Sequence, residues 1–261
     1  MRALSIGATG MMAQQLNVET ISNNIANMST TGYKRQRAEF QDLLYQQERR
    51  VGAPTSDAGT ELPSGVQLGL GVKTASISRS TGQGTLVKTD NRLDVAMQGE
   101  GYFSIELPSG DTAYTRAGFF QLAADGTIVT ADGFAVQPNI VVPADAVDVA
   151  ISEAGEVFAY FDGQVAPQNL GQFELATFVN ENGLEAIGSS LFKETTASGA
   201  PTVGAAGQTG FGTMLQGYLE GSNVNVVAEI TNLIQAQRAY EMNSKSIETA
   251  DQMLQTISQL R

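Results

Sequence analysis

VVAEITNLIQAQRAYEMNSKSIETADQMLQTI, residues 226–257, is the stretch whose periodicity settles the architecture. Val226, Leu233, Tyr240, Ile247 and Leu254 recur in it every seven residues, and Ala236, Ala250 and Ile257 stand three positions after members of that series. Such spacing collects apolar atoms on one narrow helical face, a seam that seeks a second helix. The opposite end of the chain supplies one. Leu4, Met11, Val18 and Ile25 form a matching stripe, flanked by Gly7, Gln14, Ile21 and Met28. Two such seams predict that the termini pack together as a coiled coil. Each is too thin to make a core alone, so the pair calls for neighbours from other copies of the chain.

The first helix is predicted from about Ala3 to Met28 or Ser29. Thr31-Gly32 then ends it, with Gly32 suited to the left-handed position after a helix end. Asn17, Asn23, Asn24 and Asn27 weaken this helix in isolation; their amides either face water or bond neighbouring subunits. In Tyr33-Lys34-Arg35-Gln36-Arg37 the basic cluster is either a solvated face or a partner for the acidic surface of an adjacent copy. Phe40, Leu43, Leu44 and Tyr45 then bury one face of a short helix or extended arm.

From Gln46 to Gly65 the chain has few apolar anchors, and Pro54 and Pro63 lie among several Gly and Ser. Gln46, Pro54, Leu62, Pro63 and Gly65 mark it as a loop or linker that docks on a neighbour. Residues 66–222 read as all-β. Val66, Leu68, Leu70 and Val72 alternate, and strand-like runs at Tyr102–Leu107, Phe119–Leu122, Thr127–Thr130, Val157–Phe161 and Phe173–Val179 alternate with Asp-Gly and Asn-Gly turn signals. Residues 200–217 read as a loop leading to the C-terminal helix, which runs from near Asn223 for roughly 55 Å. The expectation is a multi-domain α+β chain. It comprises a helical assembly segment (1–45), an extended insert (46–65), an antiparallel all-β region (66–222, a small subdomain plus a main domain near 95–190) and a C-terminal assembly helix (223–261).

Composition narrows the function. The 261 residues include no Cys, His or Trp. That removes disulfides, thiolate metal sites, Ser-His-Asp and Cys-His nucleophiles and most zinc sites. Charge is uneven: residues 51–222 carry six Lys/Arg against nineteen Asp/Glu, a net of −13, whereas both ends are nearly neutral. An acidic middle repels phosphate backbones and speaks against nucleic acid. No apolar run reaches the roughly 18 residues of a membrane span, and the amphipathic start is not a cleavable signal peptide. Gly69-x-Gly71 and Gly99-x-Gly101 read as turns or bulges. Asp90/Asp94 and Asp145/Asp148 are carboxylate pairs without an aromatic cleft or ligand series around them. Neither catalytic residues nor a metal or cofactor are expected.

Ala26-Asn27-Met28-Ser29-Thr30-Thr31-Gly32-Tyr33-Lys34-Arg35-Gln36 resembles the motif shared by axial proteins of the bacterial flagellum, the rod and hook family. Gly217-Tyr218-Leu219-Glu220-Gly221-Ser222-Asn223-Val224-Asn225-Val226, followed by Gln237-Arg238-Ala239-Tyr240-Glu241, does so too. Asp94 to Phe103 and Tyr114 to Phe120 are similar to the β-domain motifs of that family, and the resemblance covers nearly the whole chain. It singles out Asn27, Thr30, Gly32, Tyr33, Lys34, Arg35, Ser222, Asn223, Asn225, Gln237, Arg238 and Tyr240 as family-motif residues. Chain length and the insert after Tyr45 resemble the distal-rod members most closely. The resemblance implies a helical homopolymer acting as a torque-bearing shaft in the periplasm. Its implied partners are proximal-rod proteins, hook protein, surrounding P- and L-ring proteins and the type III export apparatus. A proximal-rod or hook subunit is the nearest alternative; a cell-wall carbohydrate-binding module is a distant one, because sugar platforms favour the aromatic residues this chain lacks.

Overall fold

A computed structural model describes residues 2–49, 64–164 and 166–259, without the side chain of Ile257. Helix α1 spans Arg2–Ala26 and α2 spans Val226–Gln259, with antiparallel strands between them. The α+β expectation holds at that level. The chain forms two compact units: one of residues 1–26, 36–78 and 225–261, the other of 27–35 and 79–224.

In the first unit α1 and α2 run antiparallel. A methyl group placed on Gly7 would sit 2.8 Å from Ile247 Cγ1, and one on Gly10 2.9 Å from Asn243 Nδ2. Further along, Asn24 meets Glu229. The two backbones therefore approach closely where the side chains are small. The buried line on α1 is Gly7, Ala13, Thr20, Ile21 and Asn24, facing Glu229, Ala236 and Ala250 of α2. Helix α2 begins where Asn225 Oδ1 accepts the Ala228 N–H at 3.1 Å, satisfying a donor that the first turn leaves free.

Four strands complete this unit: β1 (Gln36–Asp42), β2 (Tyr45–Arg49), β3 (Val66–Gly69) and β4 (Val72–Arg79). β1 pairs with β4, and β2 with β3 in the register Gln46↔Leu68 and Gln47↔Gln67. The segment after Tyr33 takes the extended of its two expected forms, but Leu44 is 83% exposed and Tyr45 is exposed too, so among the described residues the expected burial of one face by Phe40, Leu43, Leu44 and Tyr45 does not occur. Gln46 belongs to a strand rather than a linker, because β3 provides a ladder for its backbone. Gly65 immediately precedes β3; Pro54, Leu62 and Pro63 lie outside the described residues.

The second unit is all-β. Strands β5 (Leu86–Lys88), β6 (Val95–Gln98), β7 (Tyr102–Glu106) and β8 (Thr112–Thr115) lead into a nine-stranded antiparallel sheet centred on β7 and β8. The period of two along β7 sends Phe103 and Ile105 to one core, where Phe103 meets Phe120 and Phe173 edge-on. Tyr102 points the other way, into a smaller cluster with Tyr114, Ala176 and Leu184. A three-stranded sheet, Ala146–Ile151, Glu156–Phe161 and Gln168–Gln172, adds Val157 to the main core.

Residues 200–217 are more regular than expected. Thr202–Ala205 and Thr213–Gln216 are strands, the latter paired with β6, and Tyr218–Glu220 pairs with β5. Gly and Ala masked that pattern because backbone pairing, not side-chain alternation, holds them. Asn182-Gly183 likewise falls in a short 3₁₀ turn, Glu181–Gly183, rather than a hairpin. Asn182 Oδ1 accepts the Arg79 N–H there at 2.8 Å.

Candidate assembly site

Three features bring the two ends of the chain together. The first is the helix pair. Leu4, Met11, Val18 and Ile25 are half-buried on α1 and Ile21 is buried; Val226, Leu233 and Ile247 are half-buried on α2. Tyr240 and Leu254 are exposed. Met28 lies beyond the end of α1 and is exposed too. The seam's centre thus sits on the small flanking positions, with the larger heptad residues at its margins. Tyr240 and Gln237, with Gln15, Val18, Glu19 and Glu241, line an open groove of about 610 Å³ along the pair. Arg238 is exposed near it in sequence.

The second feature is a polar knot in the same unit. Asn24, 1% exposed, reads both backbone groups of Gln36. Its Nδ2 donates to Gln36 O at 2.8 Å, and its Oδ1 accepts Gln36 N–H at 2.8 Å. The same Nδ2 reaches the buried Glu229 carboxylate at 3.1 Å. Both helices and the start of β1 are tied at one point. Neither expectation for this amide, water or a neighbouring subunit, describes it.

The third is an ion triad in the second unit. Lys34 is buried, so it is not part of a solvated basic face. Its Nζ donates to Glu220 Oε1 at 2.7 Å and to Gly82 O at 3.0 Å. Arg116 Nε donates to Glu220 Oε2 at 2.7 Å, and its Nη atoms donate to the carbonyls of Gly101 and Gly99. Glu220 also accepts Gly84 N–H on its carboxylate and Gly32 N–H on its carbonyl. Burial disfavours the Glu220 carboxylate, yet Arg116 and Lys34 outweigh it and hold the carboxyl below its usual range. For Lys34, burial and then the Arg116 charge pull the ammonium below the ordinary lysine value.

Most other motif residues gather around this triad. Gly32 lies six residues past the end of α1, so it is not the glycine that ends the helix. Its φ is +69°, and an added methyl would fall 2.9 Å from Ala117 N, so close approach to the sheet demands glycine there. Thr30 Oγ1 bonds Asn27 Oδ1 at 3.1 Å, and Tyr33 N–H returns to Thr30 O. Asn223 is the splint: Oδ1 accepts Arg35 N–H at 2.6 Å, while Nδ2 donates to Ser80 O and Gly82 O. Ser222 Oγ accepts Val224 N–H, and Asn225 caps α2.

The chain matches three family models: the flagella basal body rod protein model over residues 4–34, the flagellar hook protein FlgE/F/G D1 domain over 96–159, and the flagellar basal body rod FlgEFG protein C-terminal model over 215–260. It is 61% identical to the flagellar basal-body rod protein FlgG of Caulobacter vibrioides, with all of both chains aligned. It belongs to the FlgG family. Members of the same name from Agrobacterium fabrum and Bacillus subtilis are 53% and 38% identical, covering 98–100% of each chain. The family consists of structural components of the flagellar basal-body rod, and the two terminal models cover the elements that meet in the knot and the triad.

Sequence reasoning missed Asn24, Arg116, Glu220 and Glu229 as site residues in this FlgG-family chain. Glu220 and Arg116 lie inside the quoted motifs, so their position was visible; that their charges meet, 104 residues apart, was not. The carboxylates weighed for chemistry disperse. Asp90 pairs with Lys88 and Asp148 with Arg92 on the surface, while Asp94 accepts from Asn91. Among the described residues no cluster of His, Cys, Asp and Glu suits a metal ion, and no helix is long and apolar enough to cross a membrane.

Proposed function

We propose that this chain is a distal-rod subunit that polymerises into a stiff helical tube, with the helix pair packed in it as a coiled coil. The observation that carries this reading is apolar surface in the first unit that the described chain leaves uncovered. On α2, Val227 is 77% exposed, and Ile230 and Ile234 stand exposed one turn apart; on α1, Met12 is 71% exposed. Leu44, Val66, Leu68 and Leu70 are exposed along the β2–β3 hairpin. Each such side chain contributes roughly 1.5–3 kcal/mol when a neighbour covers it. Sister copies are the natural cover, because both the seams and the hairpin recur in every subunit.

In this reading the heptad residues Leu4 to Met28 and Val226 to Ile257 mediate helix contacts, partly with other copies, and Gln237 and Tyr240 edge the groove that receives a neighbour, with Arg238 exposed between them in sequence. The insert from Gln46 to Gly65, which includes Pro54, Leu62 and Pro63, bridges to an adjacent subunit and stiffens the shaft. The tube transmits torque from the proximal rod through the periplasm to the hook, turns within the P- and L-rings, and serves as a channel for type III export. The chain itself travels that route. Burial of the ends by neighbours also offsets the entropy of ordering them, so free subunits keep the β unit folded and gain helix on assembly.

Sedimentation of full-length protein against Leu68→Ser/Leu70→Ser tests the role of the hairpin. The variant stays dispersed at concentrations where the parent pellets as tubes. Equal pelleting removes the hairpin from the interface.

A further inference from the structure

We infer that Glu220 is a latch that fixes the two end-segments of the second unit, residues 27–35 and 217–223, to the sheet as one cooperative piece. Neither segment holds itself. The 27–35 segment makes short turns only; its outward hydrogen bonds include Gly32 N–H to Glu220 O, Lys34 Nζ to Glu220 Oε1 and Gly82 O, Arg35 N–H to Asn223 Oδ1, Asn223 N–H to Tyr33 O and Ser80 N–H to Arg35 O. Residues 218–220 form a three-residue strand on an equally short β5. Between them stand two buried cations, Lys34 and Arg116, whose shared buried carboxylate is Glu220.

Losing that carboxylate leaves an ammonium and a guanidinium in a buried site, which is far more costly than losing a surface pair. Lys34 can shed its proton, but Arg116 stays charged, and its relief comes by letting water in past the two ends. They must therefore open together. The chemistry also sets an order in time. Lys34 and Arg116 are synthesised 186 and 104 residues before Glu220, so the ends stay unlatched until the chain is nearly finished. This inference concerns the isolated subunit and stands apart from whether copies form tubes.

Amide hydrogen exchange on the full-length monomer tests it. The reporters are Gly32 and Ser80 for the first segment, whose amides bond Glu220 O and Arg35 O, and Gly84 and Gly221 for the second. Phe103 and Thr115, paired across β7 and β8, report the core. In Glu220→Gln all four end amides exchange at least tenfold faster, to a common extent, while the core pair keeps its protection. If Gly84 and Gly221 accelerate while Gly32 and Ser80 do not, or if none accelerates, the latch is refuted. Should Glu220→Gln expose the core as well, Lys34→Met decides. Acceleration of both segments supports the latch, and acceleration confined to Gly32 and Ser80 overturns it.

Discussion

Glu220 illustrates how much of this fold hangs on single buried side chains. Its carboxylate accepts from Lys34, Arg116 and Gly84, so Glu220→Gln keeps the shape and removes the charge that balances two cations. Breaking a buried pair from one side costs about 3–5 kcal/mol, a loss that falls on the local opening of the two end-segments. pH reports the same group. With its folded carboxyl held below the ordinary value of about 4.3, the stabilisation is complete above that value and is lost as pH falls through the lower folded one. Melting temperature therefore holds level from neutrality to about pH 5 and declines in acid, with a shallower decline in the Gln variant. An equal acid slope in both would assign the titration to other carboxylates. Residue identity alone shows the basic run at Lys34 to Arg37 but not its split. Lys34 turns inward to a partner 186 residues away, while Arg37 pairs with Glu39 at the surface. Local spacing cannot carry a contact of that range.

At the scale of elements, period and propensity did most of the work. The heptads located both helices to within a few residues, and turn signals located β7 and the strands at 121–122, 128–129, 156–161 and 174–177, but not β8. What they did not locate was the centre of the helix contact. Hydrophobicity weights Leu4 and Leu254, whereas backbone approach is decided by Gly7, Gly10, Ala236 and Ala250, which carry little apolar weight. Gly7→Val tests this. Its extra methyls meet Ile247 within van der Waals distance, and overpacking of about 1–3 kcal/mol raises the concentration needed for assembly roughly ten- to a hundred-fold. An unchanged threshold would place the helix contact elsewhere. The strands of the 36–49 and 202–216 regions were illegible for a related reason. Gln46, Gln47, Gly204 and Ala205 show no alternation, and their partners across the ladder, not their side chains, keep them extended.

For the whole molecule, the distribution of charge and grease is the main determinant. The chain's net charge of −12 resides in its middle, while among the described residues more than half of the exposed large apolar side chains lie on the two helices and along the β2–β3 hairpin, the rest, such as Val147 and Val179, being spread mostly over the β unit. A surface divided in that way disfavours contact through the β unit and favours it through the helices, which is the arrangement of a subunit that stacks about its own termini. The division was legible from composition alone, since it needs only the sign of charge and the place of the heptads. Electron microscopy of full-length protein across a concentration series, beside an Ile230→Ser/Ile234→Ser variant, addresses this most directly. Straight tubes that thicken into view for the parent and never form for the variant are the expected result. A parent that remains monomeric at every concentration, or a variant that forms tubes as readily, would contradict the account.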